Sequence, residues 1–160
     1  MIRDFEQEDF YGVLGIVNQA AEAYRGAIPA DRWHEPYMSA DDLEAEIAAG
    51  VAFRIYEADG CLAGVMGGQP VKDVFLIRHA YVAPEAQRGG IGGALLDDLV
   101  RGVSSPVLVG TWAAAIWAID FYRRNGFVME DGDETRRLLQ TYWSIPERQI
   151  ETSVVLRLIG

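Results

Sequence analysis

The sequence predicts an α/β fold, a central mixed β-sheet flanked by helices on both faces, in one domain over residues 1–160. Three observations predict it. Alternating, partly β-branched segments run from Val51 to Val82, joined by hairpin signals. Beyond Val82, apolar strands alternate with helix-spaced segments, the β-α-β-α-β order of a sheet with crossover connections. No repeat, low-complexity tract or linker divides the chain.

The elements follow in order. Ile2 to Phe5 reads as a short strand. After Asp9, the residues Phe10, Val13, Leu14, Ile16 and Val17 share one helix face, and the helix runs to about Tyr24 before Gly26 and Pro29. A loop over 26–38 carries Asp31, Arg32, Trp33, His34, Glu35 and Tyr37. Ser39 and Asp42 have the spacing of a capping box, with Leu43, Ile47 and Ala48 inward on the helix they open and Gly50 at its end. Strands follow over Val51–Ala58, Cys61–Gln69 and Val74–Val82, with Asp59-Gly60 as the first turn and Pro84 as the stop. Gly90–Val103 reads as a helix and Pro106–Gly110 as a buried strand. Ala113–Arg124 is the next helix, ended by Asn125-Gly126 before a strand at Phe127. A short helix over Glu134–Tyr142 and a last strand over Gln149–Ile159 complete the chain.

Composition narrows the function. The 160 residues are 50% apolar and 24% charged, enough to bury a core without disulfide or metal. A net charge of −10 argues against a nucleic-acid partner and favours a cationic one, or serves solubility alone. No stretch is long and apolar enough for a membrane span. The single Cys61 and an N-terminus without a signal-peptide run point to the cytoplasm. Two histidines and one cysteine stand without ligand spacing, so no metal is expected.

The most informative segment is Tyr81-Val82-Ala83-Pro84-Glu85-Ala86-Gln87-Arg88-Gly89-Gly90-Ile91-Gly92-Gly93-Ala94-Leu95-Leu96. A strand ends, a glycine-rich turn follows and an amphipathic helix begins. The first N–H groups of a helix lack internal partners and favour an anion, and glycines let a phosphate approach the backbone. Close helix–sheet packing is the alternative use of the same glycines. The Walker pattern fails for want of Lys and Ser/Thr, and Gly-x-Gly-x-x-Gly fails because Leu95 stands at the last glycine.

Gln87, Gly90 and Gly92, preceded by Val82-x-Pro84, resemble the acetyl-CoA loop of the GNAT superfamily of N-acetyltransferases. The element order resembles that fold along nearly the whole chain. The resemblance implies that backbone N–H groups from Arg88 through Gly89, Gly90, Ile91 and Gly92 to Gly93 hold the CoA pyrophosphate. It implies that the backbone near Val82 pairs with the pantetheine arm. The Arg88 side chain either touches a phosphate or is only solvated. Ala118-Ile119-Asp120-Phe121-Tyr122, followed by Gly126-Phe127, resembles the second signature of the superfamily and makes Tyr122 the candidate general acid; core packing is the alternative role for both aromatics. Many relatives carry Asn or Ser where this chain has Ala115, a departure that removes one polar contact to the CoA arm.

The amine needs a base. Period two places Ile77, His79 and Tyr81 on one strand face, with Arg78 and Ala80 on the other. His79 is the candidate, with His34, Glu35, Glu151 or water as alternatives, and the backbone from Ala80 to Val82 is a source of an oxyanion-binding N–H. The expected activity is direct transfer of acetyl from acetyl-CoA to a small-molecule or peptide amine. The acceptor is expected to enter between the 26–38 loop and segment 130–148, whose Asp131, Asp133, Glu134, Tyr142 and Trp143 suggest an acidic, aromatic rim. The other readings are a non-catalytic acyl-CoA-binding or sensing module and a nicotinamide-dependent oxidoreductase. Homodimers are common in such families, so a homodimer is compatible.

Overall fold

Asp59 and Gly60 turn the chain where that pair predicts a hairpin. In the computed structural model, which describes residues 1–87 and 89–159, both have positive φ, 53° and 76°. They join β2 (Ala52–Ala58) to β3 (Cys61–Val71), and Lys72-Asp73 joins β3 to β4 (Val74–Val82). With β1 (Ile2–Asp4), β5 (Val107–Trp112), β6 (Phe127–Met129) and β7 (Ser153–Leu158) they form one mixed sheet in the order β1-β2-β3-β4-β5-β7-β6. Among the described residues, only β4 and β5 pair in parallel.

Six α-helices cover the two faces: α1 (Phe10–Ala21), α2 (Ala40–Ala48), α3 (Ile91–Val100), α4 (Ile116–Arg124), α5 (Gly132–Tyr142) and α6 (Glu147–Glu151). On one face, Leu95 and Leu96 of α3 and Ile119 of α4 pack with Ile77, Val109 and Leu156. On the other, Val13, Val17 and Leu43 of α1 and α2 pack with Phe53, Ile55 and Val65. Leu138 and Leu139 of α5 extend that face over Leu76, Leu108 and Val155. Each such fully buried leucine contributes about 1.5–3 kcal/mol. Among the described residues, no helix is long and apolar enough to cross a membrane.

The capping box forms as its spacing predicts. Ser39 Oγ accepts from the Asp42 N–H at 3.1 Å, and Asp42 Oδ2 accepts from the Ser39 N–H at 2.9 Å. Several element ends differ from expectation. Residues 22–24 form a 3₁₀ turn rather than the end of α1. The helix after the glycine loop stops at Val100, ahead of a left-handed Gly102 at φ 79°. β5 runs on to Trp112, so α4 begins only at Ile116. Residues 147–151 are helical, opened by Pro146, so the last strand starts at Ser153 instead of Gln149.

One feature of the sheet positions the site. β4 and β5 pair only at Phe75–Val107, Leu76–Leu108 and Ile77–Val109. Past Ile77 the two strands part, each held by its outer neighbour: β4 by β3 and β5 by β7.

Candidate functional site

The parting of β4 and β5 coincides with a bulge in β4. Arg78 pairs with Gly67 and Tyr81 with Val65, so His79 and Ala80 together oppose the single residue Met66. His79 takes the left-handed conformation at φ 54°, which one type of bulge uses at its first residue. Histidine reaches this region more readily than most residues, but the conformation is strained, and strain of this kind collects at functional sites.

The bulge overturns the expected alternation. Ile77 packs with Ala80 and Val82 on the α3 side. Arg78 and His79 lie together on the opposite face beside Glu46 of α2, and Tyr81 packs on that face too. The extra residue shifts the phase of the pleat by one, so every side chain after Arg78 changes faces.

Glu46 was not singled out by sequence. Its carboxylate lies 3.6 Å from Arg78 Nη2 and 3.4 Å from His79 Nε2. Contact with the His79 imidazole, reinforced by Arg78, holds the Glu46 carboxyl below the usual carboxylate range against the opposing effect of burial. The approach of Nε2 does not meet hydrogen-bond geometry. Nε2 is left buried and without a hydrogen-bond partner.

A cavity of about 180 Å³ occupies the gap between the strands. Its walls include Ile77 to Tyr81 of β4, Val109 to Trp112 of β5, and Tyr24, Tyr122 and Trp143. Tyr122 is 5% exposed, packed edge-on against Phe121 and Phe127. Burial raises the Tyr122 hydroxyl well above the ordinary phenol value, and Tyr24 is pushed up to about 12 for the same reason. Both are therefore neutral donors at physiological pH. Gly110 lets Trp143 close the wall, since a Cβ there would meet the indole at 3.2 Å.

The glycine turn lies at one end of this gap. Gly90 caps α3 in the left-handed conformation at φ 77°. Gly92 has a packing role of its own, because a Cβ there would stand 3.0 Å from the Phe121 ring. Gly89 and Gly93 have only ordinary neighbours at 3.5 Å, and Ile91 anchors the helix in the core. The Ala83 N–H bonds to Ala63 on β3, so strand alternation turns the polar backbone of Val82 to the other edge, toward the gap. Gln87 Nε2 donates to the Val82 carbonyl at 3.3 Å, tying the loop to the strand end. Arg88 lies outside the described residues.

The other candidates are dispersed. Glu35 is exposed and engaged by Arg25 and by Trp33 Nε1. Glu151 is exposed on α6. His34 lines a neighbouring chamber, with Nδ1 3.0 Å from the Pro36 carbonyl. Asp131, Asp133 and Glu134 belong to the start of α5 and not to the cavity wall; from that segment only Leu139, Trp143 and Ile145 reach it. The acidic rim is therefore not where the sequence suggested, because Asp131 caps α5 and Glu134 bonds Arg137. Tyr142 donates to Asp73 instead. Ala115 is fully buried and brings no polar side chain to the gap.

Solved structures share this fold. PaiA N-acetyltransferase from Thermoplasma acidophilum, in complex with coenzyme A, superposes with a TM-score of 0.75 at 18% identity, covering 100% of this chain and 98% of its own. Ribosomal-protein-alanine N-acetyltransferase from Brucella melitensis gives 0.70 at 22%, covering 100% and 99%. A GNAT family acetyltransferase from Brucella melitensis, in complex with acetyl-CoA, gives 0.61 at 21%, covering 80% and 82%. These are likenesses of fold. In sequence, the family model described as acetyltransferase (GNAT) domain matches residues 4–138, and the chain belongs to that family of acyltransferases. A comparison with curated proteins finds no match.

Proposed function

We propose that the chain transfers acetyl from acetyl-CoA directly to an amine within a ternary complex. The observation that carries this reading is the β4–β5 gap, where the neutral Tyr122 hydroxyl and the partnerless His79 Nε2 border adjoining space. Two of the neighbours named above were solved with CoA or acetyl-CoA, which supports the choice of donor.

In this reading the pyrophosphate lies on the N–H groups of Gly89 to Gly93, and Arg88 is a further contact. The pantetheine arm runs along the edge of β4 at Val82. His79 Nε2 takes a proton from the bound ammonium, and the Glu46 carboxylate stabilises the imidazolium that forms. The freed nitrogen attacks the thioester carbonyl carbon. An N–H of the Ala80–Val82 stretch holds the resulting oxyanion. The attacking nitrogen gives up its surplus proton to solvent as the C–S bond breaks, and the Tyr122 hydroxyl donates its proton to the departing sulfur. Tyr122 takes a proton back from solvent and His79 releases the one it took, so one ammonium and one thioester yield the N-acetyl amine, the CoA thiol and one free proton. Two chambers of polar and aromatic lining suit a small molecule or a peptide end as acceptor. The exposed single Cys61 fits the reducing cytoplasm.

The test is CoA release across a panel of amines, amino acids and peptides, with acetyl-CoA affinity measured in parallel. Tyr122→Phe should lower kcat by about 100- to 1,000-fold while acetyl-CoA affinity holds. Turnover unchanged in this variant would remove Tyr122 from the mechanism. Binding with no turnover on any acceptor would favour the sensing module. Absence of acetyl-CoA binding would sink the reading.

A further inference from the structure

The cavity beside Tyr122 leads outward into a second chamber of about 280 Å³, formed by the 26–38 loop, α2 and Gln149. The two share Tyr37, His79, Trp112 and Gln149 as walls. If the acetyl-transfer reading holds, an acceptor whose amine stands at His79 leaves the rest of its body in this outer chamber.

Charges line the outer chamber unevenly. Asp42 is occupied in capping α2, and Glu46 is engaged by Arg78 and His79. Arg32 has no carboxylate within ion-pair distance among the described residues, whereas its sequence neighbour Asp31 is turned to Arg148 at 3.3 Å. The Arg32 Nε is buried without a hydrogen-bond partner, and its Nη2 reaches only Gln149 Oε1, at 3.5 Å. Burying a charged donor without a partner is unfavourable. In a chain of net charge −10, carboxylates are abundant, yet among the described residues none is set against this guanidinium. A planar guanidinium with free donors matches a carboxylate through two parallel hydrogen bonds. The expected acidic rim, which would have suited a cationic small molecule or a lysine side chain, lies elsewhere on α5.

We propose that the acceptor is a small amine that carries a free carboxylate, an amino acid or a short peptide, and that Arg32 holds this carboxylate with help from Gln149. The amine end then enters the inner cavity, where aromatic walls accept an ammonium before His79 deprotonates it. Arg32 is a specificity-determining residue and takes no part in the chemistry.

The experiment pairs each of a set of amino acids and dipeptides with its C-terminal amide, and adds spermidine as an amine without a carboxylate. Acetyl-CoA binding is first measured alone by calorimetry. At least one acid should exceed its amide in kcat/KM by about 10- to 100-fold. Arg32→Gln should collapse that ratio toward one, chiefly through KM for the acid, and Arg32→Lys should restore part of it. A merely structural role would lower acid and amide alike. Whether an amino acid or a dipeptide is preferred separates the two sources of the carboxylate. Equal use of acids and amides, preference for spermidine, or a ratio unchanged in Arg32→Gln would overturn the proposal. So would an absence of both turnover and thermal shift of the CoA-loaded protein with every acid. Failure of acetyl-CoA itself to bind would instead overturn the transfer reading, and this inference with it.

Discussion

At the scale of single residues, His79 joins a strained backbone to a free imidazole nitrogen. Its φ of 54° dictates which substitution isolates the chemistry. Asparagine also tolerates the left-handed region, so His79→Asn removes the imidazole while keeping the bulge; a β-branched residue would disturb both. On the proposed mechanism, His79→Asn should lower kcat by about 100- to 10,000-fold, with acetyl-CoA affinity and the melting temperature little changed. An unaltered kcat would transfer the role of base to water or another side chain. Glu46 and Arg32 have neighbours that are remote in sequence, and this explains why neither was legible there. Nothing local distinguishes Glu46 from the other carboxylates of α2. Only the fold brings Glu46 against His79 and sets Arg32 beside Gln149.

At the scale of elements, the glycine-opened helix serves two purposes at once. Gly90 supplies a left-handed cap, and Gly92 supplies clearance for Phe121. Gly92→Ala should therefore fall short of the roughly 1 kcal/mol that alanine gains over glycine in an open helix position, because the Phe121 ring must give way, and denaturant unfolding without ligand measures the loss. Phe121→Leu in the same chain should recover part of that loss, and an effect confined to acetyl-CoA affinity would contradict the packing role. Much at this scale was legible. The limits of β4, the Ser39–Asp42 box and the Asp59-Gly60 turn follow from local chemistry that tertiary structure left intact. The bulge was not legible, because Ile77-Arg78-His79-Ala80-Tyr81 contains no glycine to mark it. The start of β7 was misjudged because residues 149–151 alternate in polarity yet lie one turn behind Pro146 in a helix.

At the scale of the whole molecule, the acidic balance and the paired carboxylates govern stability against pH. Arg3 donates to both oxygens of Asp9, at 2.8 and 2.9 Å, and to Glu57 at 3.1 Å, clasping β1 to β2 and to the turn before α1. The Arg3 guanidinium holds the buried Asp9 carboxyl below its ordinary value. The folded protein thus gives up this proton more readily than the unfolded chain. The stabilisation is complete above the unfolded aspartate value, near 4, and is lost as pH falls through the lower folded one. Asp9→Asn should lower the melting temperature at pH 7 by about 2–4 °C and should flatten the decline of stability below about pH 4. A variant that declines as steeply as the parent would place the acid sensitivity elsewhere. The three residue pairs between β4 and β5 carry a consequence of another kind. They leave an edge inside the sheet, where the backbone of Val82 faces a gap instead of a neighbouring strand. Deuterium should enter the free protein there sooner than at Phe75 or Ile77, and the thioester donor should slow that entry by lying along the edge like a strand lent by a small molecule.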